Sequence, residues 1–124
     1  MNDLTVLVVD DEIILRKTLR TYLEDEGFAV ETASSGAEAL EIVKKCQVDI
    51  MIVDMHLPDM GGESVIESAR GMNAALKFIV HTGDTGFTVS PALARAGVTE
   101  RNILFKPILD LNSINRVIRN AAGH

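Results

Sequence analysis

Cysteine, tryptophan and basic charge are scarce in this sequence of 124 residues. Its single cysteine, Cys46, cannot form an internal disulfide, which fits a reducing compartment without requiring one. Acidic side chains outnumber basic ones, the formal net charge is −6, and no run of five basic residues occurs. Neutralising the phosphates of duplex DNA requires clustered Lys and Arg, so we expect no direct nucleic-acid binding.

Long hydrophobic runs are also missing. The longest cover the four residues 6–9 and the four residues 50–53, far short of the ~18–20 that a membrane-spanning helix needs. Acidic residues follow the first run and no Lys or Arg precedes it, which is unlike a secretory signal. We therefore expect a cytoplasmic protein without membrane insertion. The length and ordinary composition suit one domain over residues 1–124.

Short apolar runs alternate along the chain with segments of helical period. The runs predicted to be strands are residues 4–9, 28–32, 48–53, 76–81 and 103–105. Several are apolar on both faces, which is typical of strands that helices cover on two sides. Strands that alternate with helices pair in parallel through right-handed crossovers. The sequence therefore predicts an open, doubly wound α/β sheet, whose ligands lie beyond the carboxyl ends of its strands.

Four of the intervening segments carry apolar residues at helical spacing. The predicted buried faces are Leu15, Leu19 and Leu23 with Ile14 beside them in the first helix, Ala37, Leu40 and Val43 in the second, Val65, Ile66 and Ala69 in the third, and Leu111, Ile114, Val117, Ile118 and Ala121 in the last. Ser34 or Ser35 can cap the second helix, and Asp110 or Asn112 the last.

The fourth crossover departs from this pattern. Residues 83–89 contain two glycines and two threonines, and Ser90-Pro91 is the first dipeptide after them that favours a helix start. We expect a long, mobile loop followed by a short helix over residues 91–96, which Gly97 ends. The last helix is expected to end near residues 121–124, where a linker could follow.

Charged and polar residues stand at the ends of four predicted strands. Asp10 and Asp11 follow the first strand, Asp54 the third, Thr82 the fourth and Lys106 the fifth. In a parallel sheet all five reach one rim, where two carboxylates ~5 Å apart repel by about 3 kcal/mol at an effective dielectric near 20. Such a cluster of carboxylates must take up a proton, pair with the lysine or bind a cation. Oxygen ligands at a partly open site suit Mg²⁺.

The pattern at these strand ends resembles that of the receiver domains of two-component response regulators. The matching pieces are Asp10-Asp11, the segment Asp54-Met55-His56-Leu57-Pro58-Asp59-Met60-Gly61-Gly62, Thr82, and Lys106-Pro107. Each motif alone is weak, but all four in order at strand ends are specific, and the resemblance covers essentially the whole chain. It implies a flavodoxin-like α/β/α fold of three layers, with five parallel strands in the order 2-1-3-4-5.

The resemblance also implies a phospho-acceptor and a metal site. Asp54 is similar to the aspartate that accepts a phosphoryl group from a phosphohistidine. Asp11 and Asp54 would bind Mg²⁺ directly together with the backbone carbonyl of His56. Asp10 would act on the metal mostly through water.

Two further residues would act on the phosphoryl group itself. Lys106 would pair with it, and Thr82 would donate its hydroxyl to it after transfer and draw its loop inward. A metal ion and a lysine suffice for this chemistry, because phosphoryl transfer mainly needs positioned groups and neutralised oxygens. In the family the Lys-Pro bond is commonly cis, which here concerns Lys106-Pro107.

The sequence departs from the family pattern in its switch region. Ile103 stands where many receivers have a Tyr or Phe that changes rotamer on phosphorylation. Thr82 and Lys106 are 24 positions apart, slightly more than is usual. We therefore expect the surface of the fourth helix and fifth strand to be mobile or differently shaped.

Two residues near Asp54 and Thr82 are predicted to control how long the phosphoryl group stays attached. His56 and Asp84 lie two positions after Asp54 and Thr82, where family members influence the access of water to the acyl phosphate. We expect this pair to set the lifetime. Gly83, which is small, should leave the phosphoryl entry open.

These observations predict a bacterial-type receiver domain that signals by changing conformation and that is not an enzyme with an external substrate, although it promotes its own phosphorylation and dephosphorylation. Its expected partners are a histidine kinase or histidine phosphotransfer protein, then an output domain or downstream protein, with homodimer formation on phosphorylation possible. Three alternatives stay open. They are an interaction module that works without phosphorylation, a Mg²⁺-dependent phosphohydrolase using His56 or Asp84 as acid or base, and a flavin-binding domain, which negative strand ends disfavour.

Overall fold

The computed structural model describes residues 4–108 and 110–122, which alternate between strand and helix. The strands are β1 (Thr5–Val9), β2 (Ala29–Ala33), β3 (Ile50–Asp54), β4 (Lys77–Thr82) and β5 (Ile103–Phe105), and the helices are α1 (Ile13–Asp25), α2 (Gly36–Lys45), α3 (Gly62–Met72), α4 (Pro91–Arg95) and α5 (Asn112–Ala121), with a 3-10 turn at Glu100–Asn102. The predicted strands and the short α4 are confirmed, with ends displaced by at most two residues. Gly123 and His124, in the predicted linker region, lie outside the described residues.

The five strands are parallel and lie in the order β2-β1-β3-β4-β5. One apolar cluster joins the sheet to α1 and α5, and a second joins its other face to α2, α3 and α4. This confirms the predicted doubly wound fold of three layers. The strand order changes direction between β1 and β3, so the carboxyl ends of these two strands form the position where open α/β sheets bind ligands. Across the described ranges, none of the helices combines the length and apolar character that crossing a bilayer demands.

Three details of the predicted helix faces are wrong. Ala37 is exposed, and Ala39 lies with Val43 on the buried side of α2 instead. Ile14 is 73% exposed, whereas Leu19 and Leu23 are fully buried, because a residue next to a four-residue stripe is turned about 100° away from it. Leu111 precedes α5 instead of lying in it and is also exposed. The carboxylate of Asp110 accepts the backbone N–H of Asn112 at 3.0 Å, so Asp110 is the residue that caps this helix start.

The first turn of α2 is fastened to the loop that follows β3. Ser35 is its N-cap and accepts the backbone N–H of Glu38. The carboxylate of Asp59, in the β3–α3 loop, accepts the backbone N–H groups of Gly36 and Ala37, each at 2.9 Å. These donors have no partners within a helix, so a loop carboxylate satisfies them across a long sequence separation.

The same contact permits a pH-dependent prediction. The N–H groups of Gly36 and then Ala37 lower the pKa of Asp59, so its contribution to stability is present above the ordinary aspartate range and is lost as pH falls through the lowered value. We expect Asp59→Ala to be less stable than wild type at pH 7. The difference should shrink below about pH 4. Urea unfolding at several pH values measures it, and Glu67→Ala, at an exposed carboxylate of α3, is the control. A difference that stays constant with pH would contradict the prediction.

Candidate functional site

Three side chains meet at the carboxyl ends of β1, β3 and β5. The Nζ atom of Lys106 lies 3.1 Å from Oδ2 of Asp10 and 3.4 Å from Oδ2 of Asp54. Asp10 and Asp54 are buried, with 1% and 3% of their surface exposed. Each of the three follows by two positions a core residue on the α1–α5 face, and the two-residue period of a strand points it to that same face. The topology thus places two buried carboxylates around one ammonium group.

Glu12 provides a third carboxylate on this lysine, which its place in the sequence did not predict. Its Oε1 accepts a hydrogen bond from Nζ of Lys106 at 3.0 Å. Partial burial opposes the charge of Lys106, but contacts with Glu12, Asp10 and Asp54 outweigh it and raise the pKa of the ammonium group. Lys106 is therefore charged at neutral pH. Glu12 directly follows the paired acids, and this position was the only sequence indication of its role.

Burial governs the ionisation of Asp10. It raises the pKa of the carboxyl group, while the backbone N–H of Glu12, at 2.9 Å from Oδ1, and the ammonium of Lys106 oppose the rise. A carboxyl group that is removed from water in this way depends on its cationic neighbour to stay ionised. Movement of Lys106 thus changes the environment of Asp10 directly.

The carboxylates at the end of β1 fit a magnesium ion. Oxygens of Asp10, Asp11 and Glu12 all lie within 4.8 Å of one another. Asp11 and Glu12 are exposed, which leaves room for the water ligands that Mg²⁺ retains. Asp54 is outside this three-residue group. Its Oδ1 accepts the backbone N–H of His56 at 3.0 Å and its Oδ2 faces Lys106 at 3.4 Å, so a metal ion at Oδ2 would share this oxygen with Lys106.

Thr82 lies next to the site without touching its acids. Its side chain is fully buried, and its hydroxyl accepts the backbone N–H of Asp84 at 3.1 Å. Among the described residues, no hydrogen bond joins this hydroxyl to Asp10 or Asp54. The register pairs Asp54 with His81, so Thr82 is one residue further along β4. A phosphoryl group on Asp54 would have to draw the hydroxyl inward from this position.

The remaining predicted switch and lifetime residues lie on three segments: Gly83 and Asp84 in the loop after β4, Ile103 at the start of β5, and His56 in the β3–α3 loop. The Asp84 carboxylate accepts the backbone N–H of Gly86 at 2.9 Å and so turns back on its own loop. Gly83 has space on its side-chain side, where an added Cβ would lie 3.9 Å from Cβ of Lys106. Ile103 is half-buried and packs against the core on the α2–α3–α4 face. The His56 side chain is exposed.

His81, the residue before Thr82 in β4, is a further side chain at the site. It is 1% exposed and its Nδ1 lies 3.8 Å from Oδ2 of Asp10. Within the described ranges, its Nε2 has no hydrogen-bond partner. Burial, and then the charge of Lys106, lower its pKa to about 4. The imidazole is therefore neutral at pH 7 and forms no ion pair with Asp10.

Backbone geometry completes the site. The Lys106-Pro107 peptide bond is cis, as the resemblance implied. Gly62, at the start of α3, lies against the residue that follows Asp54 and against the Asp54 carbonyl, because an added Cβ would be 2.9 Å from Cα of Met55 and 2.7 Å from that oxygen. The β3–α3 loop therefore needs glycine where it passes the backbone of Asp54 and Met55.

A five-stranded 2-1-3-4-5 sheet with acids on β1 and β3 and a lysine after β5 defines the phospho-acceptor class of α/β proteins. The sequence profile of the response regulator receiver domain matches residues 6–119. The chain belongs to this family, and it is a receiver domain of two-component response regulators.

Individual relatives agree with this assignment. The chain is 36% identical over 78 residues to the probable transcriptional regulatory protein TcrX of Mycobacterium tuberculosis, covering 63% of this chain and 33% of TcrX. It spans about a third of the length of the first curated relatives that it matches. A CheY-like receiver domain from Methanospirillum hungatei superposes with a TM-score of 0.85 at 26% identity, over 96% of this chain and 93% of that one. The response regulator TrrA of Thermotoga maritima, solved in complex with Mg²⁺-BeF, superposes with a TM-score of 0.82 at 24% identity, over 95% and 98%.

Proposed function

We propose that Asp54 accepts a phosphoryl group from a phosphohistidine in a Mg²⁺-dependent reaction, and that the domain thereby regulates an output domain or a downstream protein. The observation that carries the proposal is the single ammonium group of Lys106 between the buried carboxylates of Asp10 and Asp54. A carboxylate held beside a cation at a strand end is a positioned nucleophile. Lys106 is placed to neutralise the oxygens of the incoming group.

The transfer requires little of the protein beyond this placement. A carboxylate oxygen of Asp54 forms a bond to phosphorus while the bond from phosphorus to the histidine nitrogen breaks, and the freed imidazole takes up a proton from water. Asp11 and Glu12, with Asp10 acting mostly through water, would hold Mg²⁺, which would neutralise phosphoryl charge when bound. The Mg²⁺-BeF complex of TrrA supports this assignment. Asp54 and the His56 carbonyl complete the proposed ligand set.

The surface beside the acids suits a phosphodonor protein. Ile13 and Ile14, in the first turn of α1, are 53% and 73% exposed, and they directly follow the exposed Asp11 and Glu12. Apolar side chains surrounded by charge are typical of transient protein contacts. A histidine kinase or histidine phosphotransfer protein in the cytoplasm is the proposed donor. Homodimer formation after phosphorylation is a further proposal of the same scheme.

Mass spectrometry tests the proposed acceptor. Incubation with Mg²⁺ and acetyl phosphate should add about 80 Da, the mass of one phosphoryl group, as a labile adduct. Asp54→Asn should gain no adduct because its amide is not a nucleophile. Equal labelling of both proteins would contradict the assignment of Asp54. Mg²⁺ binding without an adduct would favour an interaction module, and rapid turnover of many phosphoesters would favour a phosphohydrolase.

His56 and Asp84 are expected to set the lifetime of this adduct. The His56 imidazole is exposed beside the acceptor, and the Asp84 carboxylate is bound to its own loop. We expect His56→Ala to change the decay rate of the purified phosphoprotein more than Asp84→Ala, since only the imidazole is free to shield the acyl phosphate or hold water there. Decay followed by intact mass measures both, and unchanged rates would show that neither residue controls hydrolysis.

A further inference from the structure

Two buried polar atoms at the site lack a hydrogen bond, and they belong to neighbouring residues. They are Oδ2 of Asp10 and Nε2 of His81. Oδ2 lies 3.1 Å from the Lys106 ammonium, which neutralises it as an ion pair without hydrogen-bond geometry. The second nitrogen of His81, Nδ1, lies 3.8 Å from the same Oδ2. Buried polar groups are nearly always hydrogen-bonded, so the unsatisfied Oδ2 of Asp10 beside a reactive centre indicates a state in which a donor reaches it.

Phosphorylation changes the demands on Lys106. In the described structure its ammonium group is shared among Asp10, Glu12 and Asp54. A phosphoryl group on Asp54 adds about −1.5 to −2 charges and strong acceptor oxygens at one of these three positions. The ammonium turns toward that charge, and Asp10 then loses its nearest cation. Glu12 is exposed, so water can hydrate its carboxylate when the ammonium leaves. Asp10 is only 1% exposed, so water cannot replace the ammonium there.

His81 is the polar side chain that can take the place of the lysine at Asp10. β4 lies between β3 and β5, and His81 pairs with Asp54 in the register. Its ring therefore projects to the same face as Asp10 and Lys106. A displacement of less than about 1 Å converts the 3.8 Å separation into an N–H···O hydrogen bond. An aliphatic residue of similar volume at this position would pack equally well but could not donate.

We propose that His81 is a positioning residue for Asp10. When Lys106 turns to the phosphoryl group as it is transferred to Asp54, the Nδ1–H of His81 becomes the hydrogen-bond donor to the Asp10 carboxylate and holds its orientation toward the metal, so the bond is already formed in the transition state. This inference rests on the proposed phosphorylation of Asp54. It further specifies that His81 carries its proton on Nδ1. It also specifies that Asp10 exchanges Lys106 for His81 as its partner when Asp54 is phosphorylated.

Matched substitutions separate hydrogen bonding from packing. His81→Asn keeps an N–H donor near the Nδ1 position, while His81→Leu keeps the bulk and removes the donor. We expect His81→Leu to reduce the rate of Asp54 phosphorylation by acetyl phosphate about 10-fold, the effect of losing one buried hydrogen bond, and His81→Asn to restore it to within about threefold of wild type. Thermal unfolding of each variant checks that the fold persists. A His81→Leu variant that folds and is phosphorylated at the wild-type rate would overturn the proposal.

Nuclear magnetic resonance of the imidazole gives a readout that does not depend on activity. Protein labelled with ¹⁵N in histidine is compared before and after addition of Mg²⁺ and beryllofluoride. We expect His81 to carry its proton on Nδ1 and this proton to shift downfield in the beryllofluoride form. A proton on Nε2 in both forms would overturn the proposal. If wild-type protein forms neither the 80 Da adduct nor the beryllofluoride complex, the proposed function fails and the inference fails with it, whereas a labelled wild type with the wrong tautomer refutes the inference alone.

Discussion

Lys106→Met is expected to slow phosphorylation of Asp54 by about 100-fold or more, the usual effect of removing one group that stabilises transition-state charge. Methionine keeps the length and much of the apolar volume of the side chain but has no ammonium group. Asp54 then lacks the cation that lies 3.4 Å away and that is placed to meet the phosphoryl oxygens. The rate at which the adduct forms with acetyl phosphate, followed by intact mass, measures the effect.

The same substitution should have an opposite effect on metal binding. Removing the ammonium leaves the oxygens of Asp10 and Glu12 without their shared cation, so Mg²⁺ should bind more tightly, as titration calorimetry would show. A misfolded variant would lose both phosphorylation and Mg²⁺ binding. Slower phosphorylation together with tighter Mg²⁺ binding therefore identifies a direct effect of the lysine. Lys77→Met is the matched control, because Lys77 begins β4 and so lies at the amino end of the parallel strands, away from the site. It should resemble wild type in both assays. Phosphorylation of Lys106→Met at the wild-type rate would show that the lysine does not act on the phosphoryl group.

Gly62→Ala is expected to destabilise the protein by about 1–3 kcal/mol, the usual cost of forcing extra atoms into a packed site. The added Cβ would lie 2.7 Å from the backbone oxygen of Asp54 and 2.9 Å from Cα of Met55, and it would also meet the end of the Met55 side chain. Backbone atoms cannot give way as a flexible side chain can. The β3–α3 loop must therefore shift, and the acceptor carboxylate shifts with it.

Gly61→Ala is the matched control for this prediction. It adds the same methyl group one residue earlier, where nothing lies within 4 Å of the added Cβ and the backbone φ of −69° suits any residue. Urea unfolding should show a large loss of stability for Gly62→Ala and little change for Gly61→Ala. Labelling with acetyl phosphate should slow only for Gly62→Ala. Equal behaviour of the two variants would mean that contact with the acceptor loop does not constrain the site.

The fold was accessible from the sequence because its signals are local. Two central strands that are apolar on both faces indicated burial by helices on two sides, and helix ends were marked by Ser34 or Ser35, by Ser90 and by Gly97. Parallel strand ends must share one rim, so Asp10, Asp54 and Lys106 could be placed together before any distance was known. The strand order came from the family resemblance.

The remaining features depend on contacts between residues distant in sequence. Glu12 pairs with Lys106 across 94 positions, and its sequence neighbours indicate only an acidic helix start. Asp59 reaches Gly36 across 23 positions, although Ser35 alone already predicts a capped helix. His81 sits in an apolar run, and only the geometry reveals that its ring lies beside Asp10. Strand and helix periodicities assign a face to each residue but do not assign its partner.

The contact between Glu12 and Lys106 has a consequence for which anions the resting domain can recognise. A dissolved anion that approaches the ammonium must displace a tethered carboxylate already bound at 3.0 Å and must enter a rim that carries further negative charge. Chloride and sulfate gain little from that exchange, since their local concentration is far below that of a side chain attached nearby. A phosphoryl group bonded to Asp54 is itself attached to the protein and is more highly charged, so it can compete with Glu12 for the ammonium group. We therefore expect Glu12 to weaken the binding of dissolved anions to the lysine more than it weakens the pairing of the lysine with a phosphoryl group bonded to Asp54.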